Sequence, residues 1–196
     1  MKVDAKAHIL NAAVKLIQEG RAPADITVRD IAAEANTQLA MINYYFRTKD
    51  ELMYQAVGVL RYKLASNVLS KDEEKSAATN GAYIQFREML ISICDMSVNY
   101  SHYMRFTVEY ELTKAEIVAP QYFIPLIREI YAASSGGDKI SETSIRIKAY
   151  EIISILQLIF FRAKDISNYL GFDVLEYDRM VEVIDTILKD HFPDHR

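Results

Sequence analysis

The fold of this chain is decided by one stretch, TVRDIAAEANTQLAMINYYFRTKDEL, which occupies residues 27–52. Thr27 stands before a run with helical apolar spacing, and Asp30 follows three residues later, which is the pattern of a capping box. Asn36 tolerates the left-handed backbone at which helices often end. A second capping pattern begins at Thr48. The stretch therefore predicts two short helices joined by a tight turn, with a third helix directly after them.

Helical spacing separates the residues of the two short helices into an inner and an outer face. The inward-facing residues are Val28, Ile31, Ala32 and Ala35 of the first helix and Ile42, Tyr45 and Phe46 of the second. The outward-facing residues of the second helix are Gln38, Leu39, Met41, Asn43 and Tyr44. Two such helices form a helix-turn-helix, whose second helix has the size that enters the major groove of DNA. The spacing alone leaves DNA binding open, because similar units occur in ordinary helical bundles.

The residue types in this stretch are more specific than their spacing. From Tyr44 to Leu52 an aromatic pair is followed by Phe, a basic residue, a small polar residue, Lys, an acidic pair and Leu. Together with residues 27–35 before it, this run resembles the N-terminal DNA-binding domain of the TetR/AcrR family of bacterial regulators. The resemblance covers residues 4–52, and beyond them it extends only to length and helical pattern.

Four positions depart from the pattern of that family. Asn36 stands at the turn position where the family usually has Gly. Gln38 and Leu39 replace residues that are often Ser, Lys or Arg, and Asn43 stands where Tyr is common. The departures leave the fold expectation intact, but the operator sequence is not transferable from other members.

The resemblance implies an all-α chain of about nine helices with two domains. Residues 1–48 would form the helix-turn-helix DNA-binding domain, and residues 49–196 a helical ligand-binding and dimerisation domain. Candidates for base contacts, by hydrogen bonds or by apolar contact with a thymine methyl group, are Gln38, Leu39, Ala40, Met41 and Asn43. Candidates for phosphate contacts are Thr27, Arg29, Tyr44, Arg47 and Lys49, with a base contact or a plain surface position as the alternatives for Arg29.

Composition and charge fit a protein that touches DNA with one end. Residues 1–49 hold seven Lys or Arg and five Asp or Glu, so they carry +2, and the rest carries −6 of a net charge of −4. The single Cys excludes an intramolecular disulfide and fits a reducing compartment. The N-terminus lacks the apolar segment of a signal peptide, and the longest nearly apolar run, residues 152–161, is too short to span a bilayer. We therefore expect a cytoplasmic location and no membrane partner.

The predicted sixth helix, residues 101–114, places two polar side chains between apolar faces. Thr107 and Glu111 fall inside the buried arc, where a carboxylate is costly unless it is paired. Either they anchor a small-molecule ligand, or Glu111 pairs with an Arg or Lys of the protein. Arg105 and Glu109 should form a surface ion pair at i and i+4. On the first alternative, the candidate ligand-binding residues are Phe86, Leu90, Tyr103, Thr107, Tyr110, Glu111, Tyr122 and Phe123.

Two long helices near the C-terminus are predicted to form a homodimer interface. The first, residues 142–164, is apolar almost all round in its second half, so it must be covered on more than one side. The second, residues 173–192, has a strong apolar stripe. In the TetR family the last two long helices pair with their symmetry mates, and the candidate interface residues here are Ile152, Ile155, Ile159, Tyr177, Met180, Val181, Ile184, Ile187 and Leu188.

The sequence contains no catalytic motif, Gly-rich phosphate loop or metal-ligand spacing, so we expect no enzyme activity, cofactor or metal site. His191 and His195 are four residues apart, but Pro193 interrupts any helix between them. The expected function is a ligand-responsive transcriptional regulator, a repressor released from a palindromic operator on double-stranded DNA by a small hydrophobic or aromatic effector, with Glu111 suiting a cationic one. The alternatives are a helical small-molecule-binding or adaptor protein without specific DNA binding and a small all-helical enzyme.

Overall fold

The computed structural model describes residues 5–71, 81–113, 119–133 and 140–193, and in these ranges all regular structure is helical. The prediction of an all-α fold is thereby confirmed. The helices are α1 (Ala5–Gln18), α2 (Val28–Glu34), α3 (Leu39–Tyr45), α4 (Lys49–Lys71), α5 (Gly81–Asn99), α6 (Ser101–Thr113), a 3-10 helix (Ala119–Tyr122), α7 (Ile124–Ala133), α8 (Glu142–Phe161), α9 (Ala163–Leu170) and α10 (Tyr177–His191). Within the described ranges, no helix is long and apolar enough to cross a membrane.

The single long helix expected over residues 142–164 is two helices. Arg162 leaves helical geometry with φ −110° and ψ 30°, and it both ends α8 and precedes α9. Its guanidinium pairs with Asp165 in the first turn of α9 at 3.2 Å. Gly171, with φ 79°, then ends α9. This break accounts for a tenth α-helix in the described chain where about nine were expected.

The chain forms two compact units. The head unit comprises the described residues of Met1–Lys63 and Tyr100–Lys114, and the body unit those of Leu64–Asn99 and Ala115–Arg196. These limits do not coincide with the predicted domain boundary between residues 48 and 49. The first part of α4 and the whole of α6 pack with the N-terminal helices in the head unit.

The head unit is built on α1, against which α2 and α3 pack. The inner face of α1 is fully apolar, and Ile31 of α2 and Ile42 of α3 are buried against this core. The fully buried side chains of the head unit, each less than 2 % exposed, include Ile9, Ile17, Ile26, Ile31, Leu52 and Met53. Burying an aliphatic side chain of this size stabilises a fold by about 1.5–3 kcal/mol.

The body unit has its core between α5, α7, α8 and α10. Phe86 of α5 and Phe192 after α10 meet edge-to-face with ring centroids 6.0 Å apart. Arg87 of α5 donates two hydrogen bonds to the carboxylate of Asp185 on α10, at 2.6 and 2.9 Å. Cys94 is buried in this core, and burial raises the pKa of its thiol.

Four of the residues predicted for the dimer interface are instead buried within a single subunit. Ile152 of α8 and the α10 residues Met180, Ile184 and Leu188 are at most 1 % exposed within a single subunit. They lie in the core of the body unit, so they are unavailable for direct contact with a partner. Ile155 and Tyr177 are exposed, whereas Ile159, Val181 and Ile187 are half-buried. His191 is half-buried, and His195 lies outside the described residues.

Candidate DNA interface

The N-terminus of α2 is held by a reciprocal cap. Thr27 has an extended backbone, and its Oγ1 accepts a hydrogen bond from the backbone N–H of Asp30 at 3.2 Å. In return, Asp30 Oδ2 accepts hydrogen bonds from the N–H and the hydroxyl of Thr27, both at 2.8 Å. Arg21 donates a further hydrogen bond to the same oxygen at 2.9 Å. The predicted capping box is confirmed, and Arg21 is a partner that the local pattern did not reveal.

These donors lower the pKa of the Asp30 carboxyl group. Hydrogen bonds from Thr27, first from its backbone N–H and then from its hydroxyl, together with Arg21, lower the pKa of Asp30 to about 2 from its ordinary 3.8. A carboxyl group whose pKa is lower in the folded state stabilises the fold above its unfolded-state pKa. That contribution is lost as the pH falls from 3.8 through 2.

Acid should therefore weaken the wild-type protein more than an Asp30→Asn variant. We expect the difference in free energy of unfolding between the two proteins to shrink as the pH is lowered from about 5 to about 2, because protonated Asp30 resembles the amide. Urea denaturation at several pH values, followed by circular dichroism, measures this difference. A difference that is constant over the whole range would show that the carboxylate charge does not contribute to the cap.

The turn between α2 and α3 depends on a left-handed residue. Asn36 has φ 44° and is the sole non-glycine residue with positive φ in the described ranges. The next residue, Thr37, donates its N–H to the carbonyl oxygen of Ala32 at 2.9 Å, which closes the end of α2. The left-handed backbone predicted for Asn36 is confirmed.

Helix α3 presents one face to the head unit and the other to solvent. Ile42 and Phe46 are buried, and Tyr45 is half-buried rather than fully inward. Gln38 caps the helix through its extended backbone, and its side chain makes no capping hydrogen bond. Tyr44 is 79 % exposed and packs edge-to-face on Tyr45, with ring centroids 5.0 Å apart. The side chains exposed on the outer face are Gln38, Leu39, Ala40, Met41, Asn43 and Tyr44.

The cationic candidates have two different environments. Arg29 in the first turn of α2 and Arg47 between α3 and α4 are exposed. Lys49 is half-buried and donates a hydrogen bond from Nζ to the carbonyl oxygen of Pro23 at 2.9 Å. Lys49 thus ties the start of α4 to the loop before α2. An ammonium group has three donors, so this bond leaves two for a phosphate oxygen.

The residues considered for a ligand site belong to two different units. Tyr103, Thr107, Tyr110 and Glu111 lie on α6 in the head unit. Phe86, Leu90 and Phe123 are buried in the core of the body unit, and Tyr122 of the same unit is exposed. The hydroxyl of Thr107 is occupied, since it donates to the carbonyl oxygen of Tyr103 at 2.7 Å. Four of these eight residues therefore belong to the head unit and four to the body unit.

Glu111 is paired within the head unit. The hydroxyl of Tyr54 on α4 donates to Glu111 Oε1 at 2.7 Å, and the guanidinium of Arg61 lies 4.0 Å from the same oxygen. The ring of Tyr54 stacks on that of Tyr110 with centroids 4.6 Å apart, and burial together with Glu111 raises the pKa of Tyr54. Of the two alternatives for Glu111, the structure shows the pairing with protein groups. Sequence reasoning missed Tyr54, which lies 57 residues away.

Helices α1 to α3, with a capped α2, a tight turn and an exposed outer face on α3, define the class of helix-turn-helix DNA-binding proteins. Residues 9–56 match the family described as "Bacterial regulatory proteins, tetR family". No curated protein matches the chain. The match confirms the resemblance seen in residues 27–52, and the N-terminal part of this chain is that of a TetR-family DNA-binding transcription regulator.

Proposed function

We propose that this protein is a cytoplasmic repressor that binds a palindromic operator as a homodimer and is released by a small-molecule effector. The observation that carries the proposal is the outer face of α3. This face combines two amides that can read base edges, Gln38 and Asn43, with the apolar side chains of Leu39 and Met41, all exposed. A face of this kind has no role in the core of the head unit, so a partner outside the chain explains its composition.

The N-terminal end of α2 supplies the proposed phosphate contacts. Arg29 lies in the first turn of α2, where a cation is disfavoured by the positive end of the helix dipole. A phosphate group there would be attracted by the guanidinium of Arg29. The remaining candidates are Thr27, Tyr44, Arg47 and Lys49, and they would fix the orientation of α3 in the groove rather than read sequence.

The outer face of α8 supports a homodimer. Ile145, Ala149, Ile152, Ile153 and Leu156 are buried and turn one side of the helix into the body core. On the opposite side Ile147, Tyr150, Ile155 and Leu158 are all exposed in the single subunit. A row of large apolar residues on a solvent-facing helix is typical of a protein–protein interface. A two-fold dimer through this face would present two α3 helices to half-sites spaced about 34–36 Å apart or at multiples of that distance.

The proposed effector is a hydrophobic or aromatic compound. The body unit is rich in aromatic side chains, and Phe86, Phe123, Tyr131 and Phe192 pack against one another there. The carboxylate of Glu111 lies in the head unit with Tyr54 and Arg61 as partners, so it does not support a cationic effector. Such a compound would regulate by binding more tightly to the conformation that does not fit the operator.

The proposal is tested by selecting sheared genomic DNA from the source organism with the purified full-length protein at physiological salt. Enrichment of one or a few palindromic segments would support a sequence-specific dimeric regulator, and the neighbouring genes would identify compounds to test as releasing effectors. Uniform enrichment, or none, from a folded dimeric protein would contradict it. That result would favour a helical ligand-binding or adaptor protein.

Arg29 should contribute to affinity without contributing to specificity. We expect Arg29→Gln to weaken binding to the selected operator and to unrelated DNA alike, and to reduce the slope of log K against log salt concentration by about 1. The matched control is Arg128→Gln, which removes an exposed arginine from α7 in the body unit. Fluorescence anisotropy at several salt concentrations measures both quantities. An unchanged slope, or a changed sequence preference, would contradict a phosphate contact at Arg29.

A further inference from the structure

Helix α6 contacts the loop before α2 through one buried tyrosine. The side chain of Tyr103 is 3 % exposed, and its hydroxyl donates a hydrogen bond to the backbone carbonyl oxygen of Arg21. Burial is the largest cause that raises the pKa of Tyr103, to about 12, so the hydroxyl keeps its proton. Both residues belong to the head unit. The hydrogen bond joins positions 82 residues apart in the sequence.

Arg21 continues this connection to the cap of α2. Its guanidinium donates to the carbonyl oxygen of Asp25 at 2.8 Å and to Asp30 Oδ2 at 2.9 Å. The first bond closes the loop between α1 and α2, and the second adds a charged donor to the carboxylate that caps Thr27. A continuous series of hydrogen bonds therefore runs from α6 through Arg21 and Asp30 to Thr27, beside the proposed phosphate contacts of α2.

We propose that Tyr103 is a positioning residue for DNA binding, which acts through Arg21 to hold the capped N-terminus of α2 in the orientation that meets the phosphate backbone. The inference rests on the proposed function, and it adds a residue of α6 that lies outside the helix-turn-helix. Its physical basis is that the backbone of Arg21 is fixed by a donor from a separate helix. With that backbone fixed, the guanidinium loses less freedom when it binds Asp30, and the cap of α2 becomes more rigid.

The test compares Tyr103→Phe with Tyr100→Phe in the full-length protein. Each variant deletes one hydroxyl group. The two tyrosines are neighbours in space, since their rings pack edge-to-face with centroids 6.3 Å apart. The hydroxyl of Tyr100 makes no hydrogen bond to another described residue. The hydroxyl of Tyr103 donates a hydrogen bond to the carbonyl oxygen of Arg21. We expect Tyr103→Phe to bind the selected operator segment about three- to tenfold more weakly. Tyr100→Phe should bind like the wild type.

A second measurement does not depend on DNA. Amide hydrogen exchange of the free protein should be faster at the backbone N–H groups of Thr27 and Asp30 in Tyr103→Phe than in Tyr100→Phe, because both groups are donors in the α2 cap. Exchange in α10 of the body unit should be equal in the two variants. Faster exchange throughout both units would indicate a general loss of stability, and it would overturn a positioning role.

A double-mutant cycle tests the route through Arg21. Because Arg21→Ala keeps the backbone carbonyl but removes the guanidinium, the further change Tyr103→Phe should cost little affinity in that background. Fully additive effects would overturn the proposal, and so would a Tyr103→Phe variant that matches Tyr100→Phe in both binding and exchange. Failure of the proposed function would be seen differently, as the absence of any operator segment for the wild-type protein.

Discussion

Replacement of both Ile155 and Leu158 by Asp should convert the proposed dimer into a folded monomer. The two side chains are 41 % and 55 % exposed on the outer face of α8, opposite the face that packs into the body core. In a single subunit the change replaces exposed apolar groups by charges and costs little stability. In a dimer through this face it would bury unpaired carboxylates, so we expect the dimer dissociation constant to rise at least about 100-fold. Sedimentation velocity over a range of protein concentrations measures the change.

Two controls separate assembly from folding. Leu112→Asp makes the same kind of change at a residue of α6 that is 78 % exposed, and this variant should remain a dimer. Ile184→Asp puts a charge at a fully buried position of α10, and this variant should lose its cooperative unfolding transition. A dimer that withstands both aspartates on α8 would exclude the outer face of α8 as the interface. A monomeric Leu112→Asp variant would point to α6 instead.

Operator binding by the monomeric variant depends on the same interface. A palindromic operator gains its affinity from two half-sites held by one dimer, so a monomer should bind a single half-site with much lower affinity. Retention of full operator affinity by a proven monomer would contradict the proposal that dimerisation through α8 sets the spacing of the two heads.

Local sequence signals predicted local structure well. Thr27 with Asp30 predicted the α2 cap, and Asn36 predicted the turn between α2 and α3. The pair Arg105 and Glu109 forms on α6, with Nε and Oε1 3.3 Å apart, as its spacing indicated. In each case both partners lie within four residues of each other, so the backbone geometry of one helical turn determines whether they meet.

Partners distant in the sequence were not predictable from spacing. The sequence identified Glu111 as a carboxylate that needs a partner. Its partners, Tyr54 and Arg61, lie seven residues apart on α4, and their spacing does not indicate a contact with α6. The hydrogen bond from Lys49 to Pro23 was missed in the same way. Helical periodicity identifies which face of a helix is buried, and it carries no information about which other helix covers that face.

The apolar stripe of α10 shows the same limit. Its periodicity was strong enough to predict a buried face, and Met180, Ile184 and Leu188 are indeed buried. The prediction assigned that face to a partner subunit, whereas it packs in the core of its own body unit. The all-round apolar character of α8 was the more informative signal, because a single subunit covers only one side of that helix.

Replacement of Asn43 by Ala should remove the sequence preference of the protein at one base position of each half-site. Asn43 is exposed on the outer face of α3, and its amide can donate and accept hydrogen bonds at a base edge. Loss of one bidentate base contact costs about 1–3 kcal/mol, so we expect operator affinity to fall about 10- to 100-fold. Affinity for unrelated DNA and the salt dependence should be almost unchanged, because the phosphate contacts remain. Repeating the selection with randomised operators measures which base position loses its preference.

The matched control is Asn36→Gly, which removes an asparagine side chain from the same motif. Asn36 has φ 44°, a conformation that glycine adopts without strain, so this variant should fold and bind like the wild type. Equal losses of operator affinity in both variants would mean that the motif tolerates no side-chain loss, and Asn43 would have no special role. Equal weakening of operator and unrelated DNA by Asn43→Ala would show a phosphate contact in place of a base contact. Selective loss at one base position in each half-site would place Asn43 in the major groove.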